Sequence, residues 1–137
     1  MDIRISRSLH ERLMTAAREA MPAECCGLLL GAGDTVEAIA PAANVSASPL
    51  VRFEIDPAVL IAAERRARNG GPQVLGYYHS HPDGSLLPSA EDAARAACDG
   101  RLWMIIANGR ASLWRNAPGG AHRDVFEPLA LVVLDQD

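Results

Sequence analysis

"GYYHSHPDGSLLPSAED", residues 76–92, passes from an extended run through a proline- and glycine-bearing turn into a helix start, and carries two of the chain's four histidines. Side chains at i and i+2 of a strand leave the same face, so His79 and His81 point together while Ser80 points away. Pro82 removes a ladder donor and ends the strand, and Gly84 and Pro88 shape a loop that turns the chain back. Asp83 reads as a turn-forming residue of that loop. Ser89 is placed to cap the following helix, which makes Asp92 its third residue, with a carboxylate in the first turn that can be aimed out of the helix end at a cation. Two imidazoles and a carboxylate form a three-ligand set for a tetrahedral ion of the zinc type, with a fourth position left for water. Taken one by one, the same pieces also fit a surface strand and an ordinary capped helix, and both readings stay open at this point.

Working outward, "QVLGYYHSHP" is a strand and the alanine-rich stretch from Ser89 to Cys98 is a helix. Upstream, "DIRIS" is a short strand, and Ser8 with Glu11 three residues on forms a capping box for a helix that Pro22 ends. "ECCGLLLGAGD" is a buried strand closed by a Gly-Asp turn, with "TVEAIAPA" as its antiparallel partner. Gly27 and Gly31 relieve crowding along it. "VRFEI" alternates as a strand, and Asp56-Pro57 opens a second helix through Arg68, stopped by Asn69, Gly70 and Gly71. "LWMIIA", "ASLWR" and "FEPLALVVL" complete the strands. The sum is an α+β domain spanning residues 1–137, a mixed sheet of about six strands flanked by about three helices.

Composition narrows the function. At 137 residues the chain suits one core, and its 49% hydrophobic and 22% charged content is that of ordinary globular proteins. No apolar run is long enough to span a bilayer, and the acidic, early-charged start does not read as a secretory signal, so the cytoplasm is the expected location. The net charge of -4 argues against a nucleic-acid partner held by phosphate neutralisation. Arg65, Arg66 and Arg68 form a solvated helix face. Cys25, Cys26 and Cys98 lack any CxxC spacing and read as small buried thiols. His10 and His122 lack neighbouring ligand types and read as surface residues, Tyr77 and Tyr78 as packing and cleft-wall residues.

The pieces together carry a resemblance. His79-Ser80-His81-Pro82, seven residues counted from Pro82 to Pro88, then Ser89-x-x-Asp92, resembles the H-x-H-x7-S-x-x-D signature of the JAMM, or MPN-plus, metallopeptidases, the Mov34/MPN/PAD-1 group. "PAECCGLLLG" resembles the glutamate-bearing strand entry of that family, with Glu24 at the catalytic position. Without long insertions, the chain is similar to the small stand-alone prokaryotic type. The resemblance implies a curved mixed sheet with cytidine-deaminase-like layering, and one zinc ion per chain held by His79, His81 and Asp92. It further implies Glu24 as proton carrier and Ser89 as donor to the oxyanion. The implied substrate is an amide bond after the C-terminal tail of a ubiquitin-like sulfur-carrier protein, with "NVSASPLVRFEID" as the strand edge that takes the tail. Competing readings are a metal-free MPN scaffold that only binds partners, a DNA-repair-associated relative, and a general small-peptide or cell-wall peptide hydrolase. Self-association as a homo-oligomer is left open.

Overall fold

The computed structural model describes residues 1–135. Its elements run β1 (Asp2–Ile5), α1 (Arg7–Ala20), β2 (Cys26–Ala32), β3 (Thr35–Ala42), α2 (Pro57–Arg68), β4 (Gln73–Ser80), α3 (Ala90–Arg95), β5 (Leu102–Ala107), β6 (Arg110–Gly120) and β7 (Asp124–Val133). Among the described residues the sheet therefore has seven strands, in the order β1-β3-β2-β4-β5-β6-β7, and the pairing of β1 with β7 closes it into a barrel. β1 runs parallel to β3 and β7, β4 runs parallel to β5, and the remaining pairs are antiparallel, so the sheet is mixed as expected.

β2 and β5, which flank β4, are apolar along their length because both faces are covered. On one face Leu29, Tyr78, Met104 and Ile106 pack with Leu9, Leu13 and Met14 of α1. On the other, Leu28, Leu30 and Val74 pack with Ala63 of α2, and Trp103, Ile105, Trp114 and Phe126 form a third cluster. β4 lies between β2 and β5, with His79 opposite Cys26 on one side and Ile105 on the other. His79 is thereby committed to the sheet interior, with no solvent exposure.

Three local expectations need correction. The cap of α1 is Ser6, whose Oγ accepts from Leu9 N–H at 3.2 Å, in place of Ser8. "VRFEI" is no strand: Val51 and Arg52 N–H both donate to the Ser48 carbonyl at 3.2 Å, and Asn44 takes up Arg52 O and Glu54 N–H. Only an isolated bridge between Asn44 and Ile55 survives of the expected pairing. α3 stops at Arg95, short of Cys98, because the buried Asn116 captures Cys98 N–H at 2.7 Å and draws the chain out of the helix.

Gly27 faces the ring of the buried Tyr78 so closely that a Cβ there would collide with Tyr78 Cε2. Gly27→Ala is expected to lower stability by about 1–3 kcal/mol through overpacking, read as a lower urea midpoint at unchanged m.

Candidate metal centre and hydrolytic cleft

The end of β4 and the start of α3 bring three ligand-type atoms together. His81 N–H donates to Ile106 O at 2.9 Å, which carries the ladder one residue past the strand and keeps His81 on the face of His79. Asp83 Oδ1 accepts from Ser85 N–H at 2.9 Å, making Asp83 a turn former, and the turn delivers Ser85 O to His81 Nδ1 at 2.9 Å. Ser89 and Asp92 form a reciprocal capping box: Asp92 N–H donates to Ser89 Oγ at 3.0 Å and Ser89 N–H donates to Asp92 Oδ2 at 2.9 Å. That geometry aims the Asp92 carboxylate at the imidazoles. His79 Nε2 and His81 Nε2 are 3.0 Å apart, and Asp92 Oδ2 lies 3.2 Å and 3.0 Å from them.

The donor chemistry fits a divalent cation. The Ser85 carbonyl can only accept, so His81 Nδ1 carries the proton and its neutral ring offers an Nε2 lone pair. That lone pair, a carboxylate oxygen and a second imidazole nitrogen converge inside a buried pocket, where they need a shared positive centre. Ligand bonds of about 2.0–2.1 Å in a tetrahedron place ligand atoms about 3.3 Å apart, close to the three separations here.

The electrostatics are consistent. Burial pushes His79 below the usual imidazole range and favours its neutral form. For His81, burial also pulls downward, but the hydrogen bond and charge of Asp92 outweigh it and raise the value. Burial raises Asp92, yet the bonds from His79, His81 and Ser89 N–H prevail and hold it well below the carboxylate range. His79 Nδ1 has no hydrogen-bond partner among the described residues. Its ring is held by packing, stacked on Phe53 with centroids 4.3 Å apart and met edge-on by Trp103 at 5.6 Å.

Glu24 lies two residues before β2 and is only 5% exposed. It shares a cleft with His81 and Ser89. Its Oε1 has no partner among the described residues, and burial, reinforced by Asp92 and Asp83 and opposed by His81, pushes its pKa up to about 7. Leu50, Val51 and Leu87 stand exposed on the cleft rim. The five residues singled out in the sequence are therefore gathered in one place.

Other participants escaped the sequence reading. His122 is half-buried at the cleft, donating from Nε2 to Pro88 O at 2.9 Å, where Arg123 Nε also donates at 3.0 Å. Its assignment to the surface is corrected; a Gly-rich loop gave no signal of this. Phe53 was foreshadowed by the alternation of "VRFEI", which puts Phe53 and Ile55 on one side. Tyr78 is core, whereas Tyr77 walls a neighbouring pocket and accepts from Arg101 Nη1 at 3.0 Å.

Comparison with known proteins agrees with this architecture. A family model described as prokaryotic homologs of the JAB domain matches residues 6–117. The chain is 35% identical over 109 residues to a desampylase of Haloferax volcanii, covering 75% of this chain and 78% of that protein. It is 36% identical over 92 residues to a probable TtuB-protein conjugate cleaving protease of Thermus thermophilus, covering 67% of this chain and 62% of that protein. A solution structure of a Desulfitobacterium hafniense protein superposes with a TM-score of 0.82 at 28% identity, covering 99% of this chain and 94% of that one. The chain belongs to the prokaryotic JAB family, the small prokaryotic branch of the JAMM/MPN proteins. It is a hydrolase.

In metal-free protein the raised pKa of Glu24 carries a definite sign. Between its ordinary value of 4.5 and about 7 the folded state binds more protons than the unfolded state, so folding stability contributed by this group falls as pH rises through that window. Glu24→Gln removes the dependence. The difference in unfolding free energy, Gln variant minus wild type, is expected to grow across that window and level off above it, as measured by chemical denaturation in chelator; a difference independent of pH would contradict the assignment.

Proposed function

We propose that residues 1–137 work as one zinc-dependent peptidase unit that hydrolyses the amide bond following the C-terminal tail of a ubiquitin-like protein. The observation that carries this reading is the convergence of His79, His81 and Asp92 ligand atoms at 3.0–3.2 Å beside the buried carboxylate of Glu24 and the hydroxyl of Ser89. His79, His81 and Asp92 would hold one zinc ion, which when bound supplies a Lewis acid and an acidified water. Glu24 accepts a proton from the attacking water at its carboxylate and later returns it to the departing amine. A carboxylate placed near neutrality is suited to both directions of that transfer, and its lack of a fixed partner leaves an oxygen free to receive the proton. Ser89 Oγ is already an acceptor for Asp92 N–H, so its own proton is available to the oxyanion.

The substrate class rests on the two relatives, one a desampylase and the other a protease of TtuB conjugates, which support ubiquitin-like conjugates as substrates. Residues 44–56 form a loop bonded to itself in place of the expected strand edge, so a thin glycine-ended tail would enter the cleft between Leu50 and Val51 on one side and Leu87 on the other. A sulfur-carrier protein is the proposed bearer of that tail, in the cytoplasm. Among the described residues no helix is long and apolar enough to cross a membrane.

Metal analysis is the first check. About one zinc per chain is expected, lost on His81→Ala, with affinity falling as pH drops and the imidazoles take up protons. Protein that stays metal-free in excess zinc would end the proposal. The second check is mass spectrometry of a ubiquitin-like protein ending in Gly-Gly, fused through a peptide bond to a short reporter. Cleavage after the last glycine is expected, abolished by Glu24→Gln and slowed about 10²- to 10³-fold by Ser89→Ala. Equal cleavage of unrelated short peptides would favour a general peptide hydrolase instead.

A further inference from the structure

We infer that Asn44 and Ser80 are positioning residues for Glu24, gripping the two ends of the peptide unit that follows it. The inference rests on the reading of Glu24 as proton carrier. Asn44 Nδ2 donates to Glu24 O at 3.0 Å, and Cys25 N–H donates to Ser80 Oγ at 2.8 Å. These are the carbonyl and the amide of one planar unit. Fixing both sets the torsion on the carbonyl side of the Glu24 Cα, from which the side chain projects. The carboxylate has an oxygen without a partner among the described residues, so its place depends on the backbone.

The two grips refer Glu24 to different parts of the cleft. Ser80 stands between His79 and His81 and is buried, and its own N–H donates to Cys25 O at 3.1 Å. Any shift of the histidine-bearing strand is therefore passed to the peptide beside Glu24. Asn44 belongs to the loop of residues 43–56. Its second amide proton goes to Arg52 O at 3.1 Å, and its Oδ1 accepts from Ser46 N–H and Glu54 N–H, each at 3.1 Å. All four hydrogen-bonding positions of the side-chain amide are filled. The same loop closes on Glu24 a second time, where Pro49 O accepts from Glu24 N–H at 2.8 Å. Asn44 thus gives one donor proton to Glu24, while its oxygen and its other donor proton shape the loop.

The two grips can be removed separately. Asn44→Asp keeps the acceptor oxygen and removes the donors to Glu24 O and to Arg52 O, Ser80→Ala removes the acceptor for Cys25 N–H without touching the loop, and Ser80→Thr retains it. Steady-state kinetics of the zinc-loaded variants on the Gly-Gly reporter fusion are expected to show kcat lowered about 10- to 100-fold in Asn44→Asp and Ser80→Ala, with KM and zinc affinity within about threefold of wild type and Ser80→Thr restored. In metal-free protein, hydrogen–deuterium exchange across residues 24–26 is expected to quicken in both impaired variants while α1 and α2 exchange as in wild type. Wild-type turnover in Asn44→Asp and Ser80→Ala alongside an inactive Glu24→Gln would overturn the positioning role. An active Glu24→Gln would instead overturn the proton-carrier reading beneath it. If Ser80→Ala fails to fold by circular dichroism, Asn44→Asp decides; if both fail, the pair are determinants of the fold and the inference is wrong.

Discussion

The carboxylate of Asp92 is the constraint on which the rest turns. It closes the capping box of a six-residue helix and simultaneously faces two imidazoles, each 3.0–3.2 Å away. A helix of that length has almost no stability of its own. Its place is set by the cap, and the cap's second residue is the acid that addresses the histidines. Burial of the carboxylate would be costly if it stood alone. Here two imidazoles and Ser89 N–H satisfy it, so that the same bonds that hold α3 in place also bring the ligand atoms together.

The barrel supplies what the helix cannot. Closure of β1 on β7 removes free edges and leaves β4 in the middle of the sheet with both faces covered. His79 therefore sits where its charged form is disfavoured, next to Phe53 and Trp103. Burial in the adjoining cleft likewise presses Glu24 toward its neutral form. One physical cause, desolvation, thus shifts an imidazole down and a carboxylate up, which brings both toward the forms that ligand binding and proton transfer at neutral pH require.

Much of this was legible in the sequence because it is local. The spacing of His79, His81, Ser89 and Asp92 encodes a strand, a turn and a cap, each a matter of a few residues, and the structure assembles them as the spacing suggests. Apolar runs and Gly-Asp turns likewise placed the main strands. What the sequence obscured is set by distant partners. Asn116 shortens α3 from eighteen residues beyond Cys98, and Asn44 captures the "VRFEI" backbone that alternation alone assigns to a strand. His122 reaches the cleft through Pro88 O, a contact across 34 positions. The capping error at Ser8 is different in kind: Ser6 and Ser8 are both competent caps, and the end of β1 at Ile5 leaves Ser6 in the extended conformation a cap needs.

The loop of residues 43–56 joins these levels. Phe53 from this loop stacks on His79, while Asn44 and Pro49 from the same loop bond to the backbone of Glu24. His79 has no hydrogen bond to its Nδ1 among the described residues, so the orientation of its ring depends on that stacking in a way that His81, anchored by Ser85 O, does not. The two imidazoles are thus held by different means, one by a polar bond within its own turn and the other by a loop that also fixes the proposed base. A displacement of residues 43–56 would disturb both His79 and Glu24 while leaving His81 and Asp92 in their capped turn. The loop also exposes Leu50 and Val51 on the cleft rim, so whatever binds there presses on the same segment that orients half of the chemistry.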